Sequence, residues 1–152
     1  MNDYINRKDY IDKLLLYKDK NLIKVVSGLR RSGKSTLLEI YQDYLLKQHI
    51  GKQQIQFYNF ELPENYLNKT WSDIYFGIKQ KFQAGKTNYV FLDEVQNISH
   101  FEKLVDGLFA TENTDVYITG SNAFLLSSEL TTLLSGRYIE IPILPFSFKE
   151  YL

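Results

Sequence analysis

The sequence predicts an α/β fold in which helices cover both faces of a five-stranded, mostly parallel sheet. Short runs of β-branched and aliphatic residues alternate with segments whose apolar residues recur at helical spacing. Such alternation needs crossover connections, which favour parallel strands. The apolar run "NYVFLD" at 88–93 indicates a strand that is buried on both faces. Pro142 inside the last run predicts an edge strand, because proline has no N–H to donate to a neighbouring strand.

The predicted elements form one N-terminal helix at 7–18 and then an alternating series of strands and helices. The strands are expected at 21–28, 53–61, 88–94, 115–121 and 137–144. The helices between them are expected at 34–48, 71–83, 99–109 and 127–136, the last with Gly136 as its C-cap. In the helix at 34–48, the apolar face is predicted to comprise Leu37, Leu38, Tyr41, Tyr44 and Leu45.

The composition excludes several classes of protein. The 152 residues suffice for one domain around a single core, and the absence of cysteine excludes disulfides and thiolate zinc sites. The 18 Lys and Arg balance the 18 Asp and Glu, so net charge supports neither nucleic acid nor an anionic membrane as a partner. No apolar run approaches the roughly 18 residues of a membrane span, and the N-terminus is too charged for a signal peptide. We therefore expect a cytoplasmic protein.

A glycine-rich loop joins the first predicted strand to the next helix. Its sequence from Gly28 to Ser35, "GLRRSGKS", matches the pattern G-x-x-x-x-G-K-[ST] in the strand–loop–helix setting that the pattern requires. In such loops backbone N–H groups and the helix N-terminus surround phosphate groups. Lys34 is expected to reach the β- and γ-phosphates of ATP, and Ser35 to coordinate Mg²⁺. The predicted nucleotide contacts are Gly28, Leu29, Arg30, Arg31, Ser32, Gly33, Lys34, Ser35 and Thr36.

Two arginines lie inside this motif, and a second Gly-Lys-Thr sequence occurs later in the chain. Arg30 and Arg31 either add positive potential at the phosphates or point into solvent, and both interpretations stay open. A second Gly-Lys-Thr at 85–87 is interpreted as a surface turn, because Gln80 stands where the first glycine would be required and a strand follows.

An acidic pair, Asp93 and Glu94, ends the buried third strand. A carboxylate there lies beside the phosphate loop, so Asp93 is expected to hold Mg²⁺ through water. Glu94 is then placed to orient and deprotonate an attacking water. The alternative is that two acids merely end a strand. Gln96 stands where a GTPase usually has glycine, and the second acid favours an ATPase over a small-molecule kinase.

Two further positions complete the predicted catalytic set. The fourth strand ends in "YITGSN", where Ser121 is our first choice to position the water and sense the γ-phosphate, with Asn122 and Thr119 as alternatives. Arg137 opens the last strand, where it either reaches the γ-phosphate of a neighbouring subunit or stabilises a helix end. The two histidines, His49 and His100, lack partners at metal-ligand spacing.

The final residues predict that the chain continues in a longer protein. Ser147 and Glu150 in "PFSFKEYL" have the spacing of a capping box, with Phe146 and Tyr151 placed for a hydrophobic staple. A helix would therefore start where this sequence stops. We expect an N-terminal fragment.

Taken together, these motifs resemble a family of prokaryotic AAA-type ATPases whose core precedes a C-terminal domain of unknown function, similar in fold to restriction endonucleases. The resemblance covers nearly all 152 residues. It is carried in order by "INR", "GLRRSGKSTLL", "FYNFE", "FLDEVQNI", "ITGSNAFLL" and "LSGRYIEIPILPFSFKEYL". Leu29 replaces a proline that is frequent in the family. The resemblance implies that a lid and a sensor arginine are expected beyond Leu152.

The resemblance implies that residues 1–152 form one AAA-like ATPase core, a P-loop NTPase fold of the additional-strand type without its lid and C-terminal domain. It also implies ATP and Mg²⁺ as cofactors, and hydrolysis coupled to conformational change in a homo-oligomer. Three other functions stay open from the residues themselves. They are an ATP-gated interaction module with negligible hydrolysis, a nucleotide or small-molecule kinase, and a helicase-like core suggested by "DEVQ" at 93–96.

Overall fold

The structure, a computed structural model, describes residues 2–28, 33–121 and 132–143, without the side chains of residues 2–7 and Ser121. Its centre is a five-stranded sheet in the order β2-β3-β4-β1-β5, and every neighbouring pair is parallel. The strands are β1 Ile23–Gly28, β2 Ile55–Asn59, β3 Asn88–Asp93, β4 Thr114–Ser121 and β5 Tyr138–Ile143. The predicted fold class is confirmed. The strand that contains Pro142 lies at an edge, and Pro142 is exposed.

Four α-helices are described, α1 Asn2–Tyr17, α2 Lys34–Lys47, α3 Trp71–Lys79 and α4 Phe101–Phe109. Short 3₁₀ turns occur at Lys52–Gln54, Pro63–Asn65 and Val95–Asn97. α3 is shorter than predicted, because the chain turns after Lys79 and Asn88 binds the backbone of Gln83 on the way into β3. Residues 127–131, half of the helix predicted at 127–136, lie outside the described residues.

The core has two layers, one on each face of the sheet. On one face, β-strand side chains pack against Ile74 and Ile78 of α3 and Leu104 and Leu108 of α4. On the other face, the strands pack against α1 and α2, whose buried residues include Leu14 and Tyr41. This double covering explains why β1 and β3 are buried along their whole length.

One predicted core residue is placed differently. The apolar face of α2 buries Leu37, Leu38, Tyr41 and Leu45, as predicted from the sequence. Tyr44 is 37% exposed to solvent, because it lies on the flank of that face instead of at its centre.

Candidate functional site

Four of the predicted site residues meet at the carboxyl end of the sheet, namely Lys34, Ser35, Asp93 and Glu94. β1, β4 and β3 are adjacent and parallel, so all three end at the same edge. α2 begins at this edge, directly after the loop that follows β1. A ligand in an open α/β sheet binds at this position, where loops and helix N-termini converge.

The loop between β1 and α2 is described at its two ends only. Gly33 precedes α2 with φ 97°, a backbone conformation that residues with a side chain rarely adopt. The first turn of α2 carries no acidic side chain that would compete with an anion for its N–H groups. Leu29, Arg30, Arg31 and Ser32 lie outside the described residues, so the two interpretations of the arginines remain predictions.

Lys34 occupies the first position of α2 and is almost fully buried, with 4% exposure. Its Nζ donates a hydrogen bond to the carbonyl oxygen of Gly28 at 2.9 Å. The same Nζ lies 3.8 Å from Oε2 of Glu94. The ammonium group therefore lies between the start of the phosphate loop and the acidic pair that ends β3.

Asp93 is joined to α2 and to β4 by hydroxyl groups. Ser35 Oγ donates to Asp93 Oδ2 at 2.5 Å, and Thr119 Oγ1 donates to Asp93 Oδ1. Burial raises the pKa of the Asp93 carboxyl above its ordinary value, and the hydrogen bonds from Ser35 and Thr119 oppose that rise. A nearby divalent cation would favour the charged carboxylate. The carboxylate and hydroxyl oxygens of this pair are hard ligands of the kind that Mg²⁺ prefers, so the donor set fits the ion.

Glu94 follows Asp93 in a left-handed backbone conformation with φ 60° and ψ 55°. Its N–H donates to Thr119 Oγ1 at 2.9 Å, and its side chain is held by the amide of Gln96, whose Nε2 donates to Glu94 Oε1 at 2.8 Å. The sequence singled out Gln96 only as evidence against a GTPase. The position of Gln96 two residues after Glu94 is the sequence feature from which this contact could have been predicted.

The three candidates for sensing the γ-phosphate have different surroundings. Thr119 is fully buried, and its hydroxyl is engaged with Asp93 and the backbone of Glu94. The backbone of Ser121 pairs opposite Gly28, beside the start of the phosphate loop. The side chain of Ser121 and all of Asn122 lie outside the described residues. The assignment of Ser121 stays a prediction, whereas Thr119 braces the acidic pair.

Arg137 lies at the opposite end of the sheet. Its carbonyl oxygen accepts from the N–H of Ile23 at 3.0 Å, which places it at the amino end of β1 and β5. Its Nη2 donates to Asp106 Oδ1 at 3.0 Å, and its guanidinium lies 5.1 Å from the ring centre of Phe109. Arg137 is thus separated from Lys34 of its own chain by the length of the sheet. Its predicted role in a neighbouring subunit remains a prediction.

The remaining candidates lie outside this cluster. Thr36 is exposed on the first turn of α2. His49 and His100 are exposed at helix ends, and no group of three or more metal-ligating side chains occurs among the described residues. Gly85 lies in a turn with φ 76° before β3, as expected for the second Gly-Lys-Thr sequence.

Comparison with known proteins identifies the family. A protein family described as an AAA domain matches residues 20–152. The chain belongs to this AAA domain family. An uncharacterized protein of Haemophilus influenzae is 48% identical over 149 residues, covering 97% of this chain and 37% of that protein. An uncharacterized protein of Methanocaldococcus jannaschii is 35% identical over 132 residues, covering 87% of this chain and 28% of that protein. The AAA domain therefore spans about a third of these relatives' length.

Two solved structures share the fold. One is a structure of Drosophila ORC bound to AT-rich DNA and Cdc6, with a TM-score of 0.61 and 11% identity, covering 95% of this chain and 58% of that chain. The other is a structure of C. elegans PCH-2, with a TM-score of 0.54 and 17% identity. The match covers 93% of this chain and 40% of that chain. Family and fold together make this AAA domain a nucleotide-binding P-loop domain of the ATPase type. Among the described residues, no helix is both long enough and apolar enough to cross a membrane.

Proposed function

We propose that this AAA domain binds Mg-ATP at the carboxyl end of its sheet and hydrolyses it. The observation that carries the proposal is the convergence of Lys34, Ser35, Asp93 and Glu94 from two separate parts of the chain. Lys34 supplies a cation, and its Nζ lies close to the Glu94 carboxylate. Ser35 and Asp93 supply a hydrogen-bonded pair of hard oxygen ligands. These groups are the parts that ATP hydrolysis requires.

Each of these side chains would act on a different part of the reaction. Lys34 and the N–H groups at the start of α2 bind the phosphates. Ser35 and Asp93 would hold Mg²⁺, which neutralises negative charge on the β- and γ-phosphates when bound. Glu94 accepts a proton from a water whose oxygen attacks the γ-phosphorus. The bond between that phosphorus and the β,γ-bridging oxygen breaks, and ADP leaves with the electron pair.

Removing the ammonium of Lys34 tests nucleotide binding. At a nucleotide concentration 100 times the Kd, binding stabilises the folded state by about 2.7 kcal/mol. We expect Mg-ATP to raise the Tm of the wild-type protein and to leave the Tm of Lys34→Ala unchanged. Lys47→Ala, at the exposed end of the same helix, is the matched control and should respond as the wild type does. A wild-type Tm that is insensitive to saturating Mg-ATP would contradict the proposed site.

Changing each acid to its amide separates binding from hydrolysis. Glu94→Gln preserves shape but removes the base, so ATP affinity should persist while phosphate release falls about 10²–10⁴-fold. Asp93→Asn should instead weaken the Mg²⁺-dependent part of ATP binding. Isothermal titration with and without Mg²⁺ and a phosphate-release assay measure these effects. Wild-type phosphate release without any added acceptor also distinguishes an ATPase from a kinase.

Hydrolysis at this site would also affect the surroundings of the domain. Since ATP and its products differ at the γ-phosphate that Glu94 and Lys34 face, hydrolysis would change the contacts between α2 and the end of β3. We propose that this change is passed to a neighbouring copy of the domain, through Arg137, and to the rest of a longer protein.

A further inference from the structure

Gln96 makes a contact with Glu94 that the proposed roles do not use. The Gln96 Nε2 donates to Oε1 of Glu94 at 2.8 Å, whereas Oε2 of the same carboxylate lies 3.8 Å from Nζ of Lys34. One oxygen of the carboxylate is thus held by an amide, and the other is directed towards the residue that faces the phosphates. Glu94 has 7% exposure, so water competes little for either contact.

The turn that carries Gln96 is anchored on both sides of it. Val95 is fully buried in the core, and Asn97 Nδ2 donates to the carbonyl oxygen of Phe60 at 2.8 Å. Before it, Glu94 is held in the left-handed conformation by its N–H bond to Thr119. The backbone positions of Gln96 and Glu94 are therefore set by their neighbours, and the amide–carboxylate bond sets the side-chain orientation.

The carbonyl oxygen of the Gln96 amide helps to explain the orientation of this side chain. Its Oε1 is buried and has no hydrogen-bond partner among the residues that the structure describes. Rotating the amide by half a turn would place Oε1 against the Glu94 carboxylate, which has no proton to donate when ionised. The orientation is hence determined by Glu94, and it leaves the carbonyl unpaired. A buried carbonyl without a protein partner opposes folding and offsets much of what the bond from Nε2 to the charged carboxylate contributes to stability.

We propose that Gln96 is a positioning residue for Glu94, an inference that rests on the proposed role of Glu94 as the base for water. By holding Oε1, Gln96 keeps Oε2 directed towards the phosphate side, where it accepts the proton of the attacking water. Without the amide, the carboxylate can turn about its side-chain bonds and spends less time in the productive orientation. Gln96 touches neither nucleotide nor water in this role.

The Gln96→Met variant tests the inference, because methionine has a similar length and no polar hydrogen. We expect kcat for ATP hydrolysis to fall about 10- to 100-fold, as for a displaced catalytic group, with ATP affinity unchanged. The Tm should stay close to that of the wild type, since removing the unpaired carbonyl offsets the loss of the bond to Glu94. Gln53→Met, at an exposed position in a 3₁₀ turn, is the matched control and should retain the wild-type kcat. In a Glu94→Gln background, Gln96→Met should change the residual rate less than twofold, because there is no base left to position.

The possible outcomes separate the inference from the proposed function. A wild-type protein that binds Mg-ATP and releases no phosphate overturns both. A wild-type protein that hydrolyses ATP, together with Gln96→Met at the same kcat, overturns the inference alone. A fall in kcat that is matched by a fall in Tm and in ATP affinity also overturns it, because Gln96 would then support the fold in general. A lowered kcat with intact affinity and intact Tm supports it.

Discussion

At the scale of the residue, the hydroxyl of Thr119 holds the acidic pair Asp93 and Glu94 in position. A single hydroxyl donates to the Asp93 carboxylate and accepts the N–H of Glu94, and Thr119 is fully buried. The contact satisfies the N–H of a residue in the left-handed conformation and contributes one of two hydroxyl bonds to a buried acid. Thr119 therefore links the end of β4 to the geometry of the site.

Thr119→Val tests this link by replacing the hydroxyl with a methyl of similar size. We expect the free energy of unfolding to fall by about 1–3 kcal/mol, because a buried N–H and a buried carboxylate each lose a partner. Urea denaturation measures the loss. Thr114→Val on the same strand is the control, since its hydroxyl bond to the carbonyl oxygen of Glu112 is exposed, and it should change stability by no more than about 0.5 kcal/mol. Equal stabilities of the two variants would show that the Thr119 hydroxyl contributes little.

At the scale of the element, a buried ion pair joins β1 to β4 at their amino ends. Lys24 Nζ lies 2.5 Å from Asp115 Oδ1, and both side chains are almost completely buried, with 0% and 1% exposure. Further bonds satisfy the pair, from Lys24 to the carbonyl oxygen of Lys20 and to Asp115 from the N–H of Asp19 and from Tyr117. The network attaches the turn after α1 to β1 and β4.

Asp115→Ala is expected to be strongly destabilising, because it leaves the Lys24 ammonium buried without its counter-ion. The free energy of unfolding should fall by about 3–5 kcal/mol. In contrast, Asp12→Ala breaks an ion pair with Lys8 whose side chains are 77% and 57% exposed, and should cost less than about 1 kcal/mol. Urea denaturation measures both. The double variant Lys24→Met/Asp115→Asn removes both charges and should recover part of the loss, and no recovery would argue against charge burial as the cause.

At the scale of the whole molecule, the two ends of the sheet carry different groups. The carboxyl end carries Lys34, Asp93 and Glu94, whereas Arg137 lies at the amino end, paired with Asp106. We propose that a further cation for the charge of the transferred phosphoryl group comes from Arg30 or Arg31 of the loop or from another copy of the domain. Arg137 retains 44% side-chain exposure, so its surface pair with Asp106 is accessible and weak enough to exchange.

Mixed-subunit assays test the role of Arg137 in a neighbouring subunit. Hydrolysis by the wild type should rise more than linearly with protein concentration, and Arg137→Ala should lose about 10³-fold or more in rate. Adding Glu94→Gln protein, which has no base but carries Arg137, should restore activity to Arg137→Ala. The double variant Glu94→Gln/Arg137→Ala is the control and should restore none. If Arg137→Ala alone matches the wild type at every concentration, Arg137 is a helix-end residue.

The parallel arrangement of the strands, the edge position of the last strand and the presence of the phosphate-loop motif could be predicted from the sequence, because all three depend on local patterns. Crossover helices impose parallel strands, and Pro142 has no N–H for an interior position. The spacing from Gly28 to Ser35 is a property of one continuous segment. The exposure of Tyr44 was mispredicted, since helical spacing alone does not show how far around α2 the neighbouring elements reach.

The sequence by itself determined the fold class, the family resemblance and the residue types available for nucleotide chemistry. Only the tertiary structure decided which of them contact one another. Ser35, Asp93 and Thr119 lie on three elements, and their hydroxyl–carboxylate bonds exist because β3, β4 and β1 are adjacent in the sheet. Contacts between distant segments depend on the distances that folding sets, and no local pattern encodes those distances.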